Sequence, residues 1–465
     1  MRKTRMTTAL TGGLALVVAG GVTAWAVQGG PDPGQRHEAQ LEAHAKPFFG
    51  VTSGIPQSSA EDIDDPATDP LALADIAKGL HAHVITSGVA APNLDMAALW
   101  PVDDPQWILS CNEQGVAQPG VQRINLKTGA AETIVSGITS CDPLHVTPWG
   151  TVIFGEEASD GHMYEMVNPL DITGATINRT TGAVTGTNDI VQRPALGSLA
   201  FEGIAFLSSG VGYYGDELAP TNGAPGGSYY KFMPAHPLQP GTKITNLADS
   251  PLTSGSVFAL KVGQGSNTGQ AMQQGDGTWA PITPDPATGS VRAAARAAGG
   301  TGYYRPEDLS IDEGALAGGS VRFCGNNTGR EQAHYYGETM CITDGTVDQA
   351  NANTAVPQVQ NLVVGSPEYN MIDNIAYQPG RGNWIVHEDG ETDFERPHNN
   401  DLWSCLEDGR DADLLSDGCL RIATLNDLDA EWTGGFFDAT GKHFYVSIQH
   451  NATGFGTILD ISGWQ

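Results

Sequence analysis

One arrangement of hydrophobic and polar residues returns six times along the chain: a polar residue, an apolar run, a turn, a β-branched or aromatic run, and a closing pair of polar, mostly acidic residues. The first copy runs from Asn93 through Trp100 and Trp107 to Asn112-Glu113, the second from Asp142 through Thr151 to Glu156-Glu157, and the third from Glu202 through Gly212 to Asp216-Glu217. The others run from Glu307 through Val321 to Asn326-Asn327, from Asp373 through Trp384 to Glu388-Asp389, and from Glu431 through Phe444 to Gln449-His450. Short apolar runs bounded by turn residues predict strands. A strand unit repeated this often predicts a closed array, in which equivalent polar residues superimpose around one axis.

The copies begin near residues 95, 142, 202, 307, 374 and 434. Most of these intervals exceed the usual propeller repeat of about 40 to 50 residues, so loops must be inserted. The expected fold is all-β: a six-bladed β-propeller over residues 93–465, with long inserted loops and a short helix. Segments such as Val121 to Val135 supply outer hairpins, and the alanine-rich Val291 to Ala298 supplies the helix, after a Gly-rich loop from Gly263. That loop and helix are expected beside the channel mouth.

Residues 1–26 have the form of a signal peptide: Arg2, Lys3 and Arg5, an apolar stretch from Thr7 to Val22, and the small-x-small site Ala24-Trp25-Ala26. The apolar stretch approaches the roughly 20 residues that span a bilayer, so an uncleaved anchor is the other reading. Its Gly and Thr content favours cleavage, which leaves no stable membrane span. No pair of adjacent arginines marks a twin-arginine signal. Residues 27–92 read as an irregular leader whose Phe48-Phe49 docks on the domain. The expected location is extracytoplasmic, periplasmic or secreted.

Composition narrows the partners. With 53 Asp+Glu against 23 Lys+Arg, a net charge of -30 repels phosphate backbones, which argues against nucleic acid. In an exported chain the six cysteines predict disulfides. The closest pairs among about 15 pairings are Cys111 with Cys141, Cys324 with Cys341, and Cys405 with Cys419. No Cys-x-x-Cys pair supports a thiolate metal site.

Acids at strand ends of a propeller meet at the rim of the central channel. Glu156, Glu157, Glu202, Glu307, Glu388 and Asp389 are the expected metal ligands, with Asp216, Asn326, Asn327, Asn374 and Glu431 as further polar residues of the site. Two carboxylates ~4 Å apart repel by ~4 kcal/mol at an effective dielectric of 20, so such a set needs protons or cations. Carboxylate and amide oxygens favour hard cations, calcium foremost. Arg305, beside Pro306 and Glu307, is placed to grip an anionic oxygen bidentately. The other reading of any single acid is a cap on a neighbouring turn, and His145, His387 and His450 are expected as structural hydrogen bonders. No Gly-x-Ser-x-Gly elbow, phosphate-binding Gly-Lys-Ser/Thr loop, His-Glu-x-x-His helix or dinucleotide glycine fingerprint occurs. Asp411-Ala-Asp413 loses the register of a calcium hand after its second member.

Several segments, in order, resemble the PhoX-type alkaline phosphatases. They are Thr147-Pro-Trp-Gly-Thr151 leading into Glu156-Glu157, Phe201-Glu202-Gly203, Tyr214-Gly-Asp216-Glu217, Tyr229-Tyr-Lys-Phe232, Arg305-Pro-Glu307, Asn326-Asn327, Trp384 to Asp389, Glu431-Trp-Thr-Gly434 and Gln449-His450. The resemblance spans about residues 95 to 465. It implies an extracytoplasmic six-bladed propeller with iron and calcium in its channel and a small phosphate ester as substrate. It further implies metal ligation by Glu202, Glu307 and an acid at Glu388 or Asp389, calcium near Glu156-Glu157, and a phosphate contact and catalytic role for Arg305 with Glu307. One departure stands out: Gly155 occupies the place of the family's iron-bridging cysteine, which removes support for iron. The leading expectation is therefore a metal-dependent phosphoesterase. The alternatives are a non-catalytic calcium-binding propeller that serves as a binding or structural module, and, on fold analogy, a calcium-dependent lactonase or ester hydrolase.

Overall fold

Each copy of the repeat begins with a strand that sits closest to the axis. These inner strands are Leu94–Trp100, Cys141–Val146, Phe201–Phe206, Pro306–Ile311, Ile372–Tyr377 and Glu431–Phe437. Each packs beside the next and the last packs beside the first, so the six close a ring. The computed structural model describes residues 40–221, 225–263, 270–390, 398–409 and 413–465; the signal segment, the leader up to residue 39 and most of Asp411-Ala-Asp413 lie outside them.

Outward from the ring, mostly antiparallel strands follow, giving an all-β, propeller-like arrangement with few helices; the exception is Ala175–Asn178, which crosses over to pair parallel with Ala131–Ser136. Among the described residues the hydrogen-bonded sheets have five, six, four, nine and four strands, which makes five sheets rather than six separate blades. The nine-stranded sheet holds two of the repeat copies. They are joined because Gly275–Ile282, within the segment expected to be only loop and helix, is a strand that pairs with Gln358–Val364 through Gly275 and Asp276. The expected helix forms at Arg292–Ala297.

The leader corrects the sequence reading more strongly. The expected docking is there, since Phe49 of the helix Ala45–Phe49 is fully buried against Ile385, Leu402 and Ile422, but from residue 40 onward the leader also carries regular elements. Ala74–Ile76 adds an edge to Cys419–Leu425, and His81–Ala90 pairs with Gly456–Ser462. The last sheet thus takes its outer strand from the N-terminal side, which ties the ends of the array together. The weak alternation in His81–Ala90 conceals this, because an outer strand buries little of its surface.

All three expected disulfides form. Cys324 bonds Cys341 and Cys405 bonds Cys419, in each case directly across a pair of neighbouring strands of one sheet. Cys111 bonds Cys141 between neighbouring sheets. The Cys324–Cys341 bond lies in the apolar cluster that also holds Leu362, Tyr369 and Trp384, so both of its sulfurs serve the packing between sheets.

A repeated bulge positions the site. In five inner strands the pairing register shifts between the first and fourth residues, as between Phe201 and Ile204, and in the sixth between Thr433 and Phe436. A bulge releases the residue within it from the ladder and re-aims its side chain. Inner strands also approach one another closely there: a Cβ on Gly203 would lie 2.1 Å from the Leu309 backbone nitrogen. Gly203→Ala is therefore expected to destabilise the fold by about 1–3 kcal/mol, read as a lowered melting temperature, since backbone cannot give way as a side chain can.

Candidate metal centre

In those five bulges the second residue of the inner strand is an acid: Asp95, Asp142, Glu202, Glu307 and Asp373. The sixth strand contributes Glu431, its first residue. The neighbouring strand of each copy ends opposite the start of the inner strand, and in five copies the residue just beyond that end faces the same space. These residues are Glu113, Glu157, Glu217, Asp389 and His450, with Thr328 at the equivalent place in the fourth copy. Ten of these carboxylates line one cavity of about 500 Å³, together with Arg305 and His450.

In four of the closing pairs period-two alternation explains why only the second member reaches the cavity, whereas in the last copy both Gln449 and His450 line it. Glu157 and Asp389 reach it, while Glu156 and Glu388 turn back into their sheets. Glu156, expected as a ligand, is fully buried, 2.9 Å from Arg179 Nε, and accepts from the backbone N–H groups of Thr139 and His162. Glu388 accepts from the backbone N–H groups of Asn370 and Asp401 and from Trp403 Nε1. It lies near His398 and Asp401, and Arg421 Nε contacts Asp401 at 2.5 Å. Asp216 pairs with Arg292 at 2.6 Å.

The three asparagines also lie off the cavity. Asn326 Nδ2 donates to the Asp373 and Asn374 carbonyls, Asn374 Oδ1 accepts from Gly434 N–H, and Asn327 Nδ2 donates to Glu338. The first two pin neighbouring sheets to each other. In the fourth copy the register places Asn327 opposite Pro306, so the equivalent residue is Thr328, which does not line the cavity but donates its Oγ1–H to Glu307. The disulfide cysteines Cys111, Cys141, Cys324, Cys341, Cys405 and Cys419 do not line the cavity either, and their place is in the sheets alone.

Glu157, Glu202, Glu307, Asp389, Glu431 and Arg305 are thus the expected residues brought together, and Asp95, Glu113, Asp142, Glu217 and Asp373 are additions. The signal for three of these additions was an apolar residue followed by an acid at the head of each inner strand: Leu94-Asp95, Cys141-Asp142 and Ile372-Asp373.

Two carboxylate triads stand out, Asp142/Glu157/Glu202 and Glu202/Glu307/Asp373, each with one oxygen per residue within 4.8 Å of the others. Glu202 belongs to both. Buried oxygens of Asp95, Asp142 and Asp373 have no hydrogen-bond partner among the described residues. At 4.8 Å a carboxylate pair repels by roughly 3 kcal/mol at an effective dielectric of 20. Burial, then mutual repulsion, pushes Asp95, Asp142, Glu157, Glu202, Asp373 and Glu431 well above the usual carboxylate range. Glu307 is pushed up to about 8 by burial, against the opposing pull of Arg305.

A carboxyl whose pKa is raised by folding stabilises the fold in full below its unfolded value, near 4.5 for Glu307, and the contribution is lost as pH rises through about 8. Cation-free protein is expected to lose melting temperature steadily from pH 5 to pH 9, and saturating calcium to flatten that slope. A cation-free melting temperature that rises over this range would contradict the placement of these acids.

Arg305 Nε contacts Glu217 at 2.6 Å and Glu307 at 3.4 Å, with the side chain 29% exposed. Burial opposes its charge, but Glu307 and Glu217 outweigh that and raise its pKa above the guanidinium's ordinary value. Its φ of 54° is left-handed, a conformation that costs energy outside glycine and turns the chain immediately before the inner strand. His450 is held between Glu431, 3.1 Å from its Nδ1, and Asn93, whose Nδ2 lies 2.9 Å from its Nε2. His387, expected as a hydrogen bonder, has neither ring nitrogen partnered among the described residues; burial lowers its pKa to about 3 and keeps it neutral.

A family model described as alkaline phosphatase PhoX matches residues 112–452. The chain belongs to the PhoX family. Among solved structures, Pseudomonas fluorescens PhoX in complex with vanadate, a transition state analogue, is similar to this PhoX chain with a TM-score of 0.61 and 15% identity, over 87% of this chain and 98% of that one. At that identity the likeness shows the fold. The holo pyranose dehydrogenase PQQ domain from Coprinopsis cinerea reaches a TM-score of 0.42 at 12% identity, over 86% of this chain and 99% of that one, too low to carry an argument. No curated protein sequence matches the chain.

The donor set of this PhoX chain can be tested against metals directly. Unpartnered buried carboxylate oxygens, two triads sharing Glu202 and a cavity lined by acids fit hard divalent cations. A thiolate-bridged iron does not fit. All six cysteines are in disulfides, and a Cβ at Gly155 would meet Met163 Sδ at 2.1 Å and Pro143 at 3.1 Å. Met163 itself is fully buried, so the space a cysteine side chain would need is filled.

Proposed function

We propose that the protein is an extracytoplasmic, cation-dependent phosphomonoesterase acting on small phosphate esters, built on a six-bladed propeller whose fourth-copy sheet has fused to its predecessor. The convergence of ten carboxylates on a single guanidinium carries this reading. A cavity that would hold nine net negative charges if all its acids ionised, counting ten carboxylates against Arg305, cannot receive a phosphate unless cations occupy it. Calcium is the cation this oxygen set suits best.

Bound cations would supply Lewis-acid polarisation of the phosphoryl oxygens. Glu202 and Glu307, with Asp142, Glu157 and Asp373, would hold them, and Arg305 would neutralise and orient a further phosphate oxygen. Its pairing with Glu217 and Glu307 aims the guanidinium into the cavity before substrate arrives. The disulfides suit an oxidising compartment, and no helix among the described residues is long and apolar enough to cross a membrane.

Hydrolysis of 4-nitrophenyl phosphate that disappears on chelation and returns with calcium is the expected result. Fully calcium-loaded protein inert on mono- and diesters would end this reading. The closed space at Gly155 favours a second one, a calcium-plugged propeller without catalysis. It gives a melting temperature that falls on chelation with no hydrolysis at any metal load.

A further inference from the structure

The loop that follows the fourth copy's second strand carries an aromatic pair whose position bears on which esters fit. Residues 304–305 run beside 328–329, with Gly329 N–H donating to the Tyr304 carbonyl at 3.3 Å and Thr328 N–H to the Arg305 carbonyl at 3.1 Å. The loop closes on itself through Arg330 N–H to Tyr335 O at 2.6 Å and Tyr335 N–H to Arg330 O at 3.1 Å. That closure lays Tyr335 against Tyr304, ring centroids 4.3 Å apart and tilted by 34°. Gln332, at the tip of the same loop, lines the cavity.

Both rings are only half-buried, whereas most large aromatic side chains of the protein lie in its core. Tyr304 directly precedes Arg305. The left-handed turn at Arg305 goes with a guanidinium held by Glu217 and Glu307, and the two rings lie outside the carboxylate cavity, on and beside the loop whose tip, Gln332, lines it. Among the described residues no phenylalanine, tyrosine or tryptophan ring lines the carboxylate cavity itself. A phosphate held by Arg305 would leave its alcohol portion outside that acidic cavity, and the half-buried tyrosine pair is the aromatic surface that adjoins Arg305 in the chain.

We propose that Tyr304 and Tyr335 form a stacking platform for the alcohol portion of the ester, which directs the enzyme toward phosphomonoesters of planar aromatic alcohols. The inference rests on the phosphoesterase reading above. Stacking on an aromatic face supports a preference of about three- to tenfold, expressed mainly in KM because the contact exists in the ground state.

The test compares wild type with Tyr335→Leu, Tyr335→Ala and Tyr335→Phe on 4-nitrophenyl phosphate, adenosine 5′-monophosphate and glycerol 2-phosphate, with inorganic phosphate as inhibitor. Taking each variant relative to wild type on the same ester cancels intrinsic differences in leaving-group reactivity. Tyr335→Leu and Tyr335→Ala are expected to lower kcat/KM for the aryl ester three- to tenfold more than for glycerol 2-phosphate, with the inhibition constant of phosphate unmoved and Tyr335→Phe close to wild type. A selective loss that extends to adenosine 5′-monophosphate places nucleosides on the platform; a loss confined to the aryl ester places it against the first atoms beyond the ester oxygen, and either supports the proposal. Equal losses on all esters, a weakened phosphate inhibition, or no change of ratio in active protein overturns it. Wild-type protein inert on all three esters overturns the phosphoesterase reading, and this proposal with it.

Discussion

Glu202→Gln is expected to lower kcat/KM for a phosphomonoester by about 10³-fold and to reduce the number of calcium ions bound per chain. Glu202 is the carboxylate common to both triads, so its loss weakens two cation positions at once. Metal polarisation of a phosphoryl oxygen is worth several kcal/mol, which corresponds to roughly three decades of rate. The same substitution should act in opposite directions on stability. In calcium-free protein it removes a buried carboxyl whose ionised form is disfavoured by burial and then by Asp142, Glu307 and Glu157, so the melting temperature at pH 8 should rise; in calcium-saturated protein it removes a ligand, so it should fall. A variant that destabilises both forms equally would show that Glu202 is a packing residue. Steady-state kinetics, calorimetric calcium titration and melting curves with and without chelator read the three effects.

Arg305→Ala is expected to cost about 10²- to 10³-fold in kcat/KM, the range for removing one donor aimed at developing phosphoryl charge. Arg305→Lys should recover little of it. An ammonium carries the charge but not the planar fork that can bond two oxygens at once, and lysine's flexible stem would have to reach a position that the turn at Arg305 and the contacts to Glu217 and Glu307 fix for the guanidinium. Calcium binding should be kept or strengthened, because a positive charge has left the cavity. Full activity in Arg305→Lys would show that only net charge matters at this position.

Much of the fold was legible because the inner strands carry strong periodic signals, each an apolar run headed by a polar residue and followed by a turn. The outer parts were not. His81–Ala90 alternates weakly, since it covers an edge and buries little, and Gly275–Ile282 is interrupted by Gly and Pro, so neither reads as a strand before its partner is known. Of the site, Glu202 and Glu307 were visible as acids heading inner strands, and Asp95, Asp142 and Asp373 share that position. The closing pairs misled by one residue: both members look alike in sequence, and only the pairing of Glu156 with Cys141, and of Glu388 with Ile372, shows that the second member faces the axis. In the fourth copy the pair slid by one, because Asn327 rather than Asn326 stands opposite the first residue of the inner strand.

The central claim is that carboxylates distant in sequence are neutralised by divalent cations around one axis, without iron. Elemental analysis of natively exported, fully folded protein tests it most directly. The account expects more than one calcium ion per chain, only traces of iron, and loss of bound calcium in Glu202→Gln. Protein that is folded and stable at pH 8 with no bound divalent cation, or that carries stoichiometric iron, would contradict it.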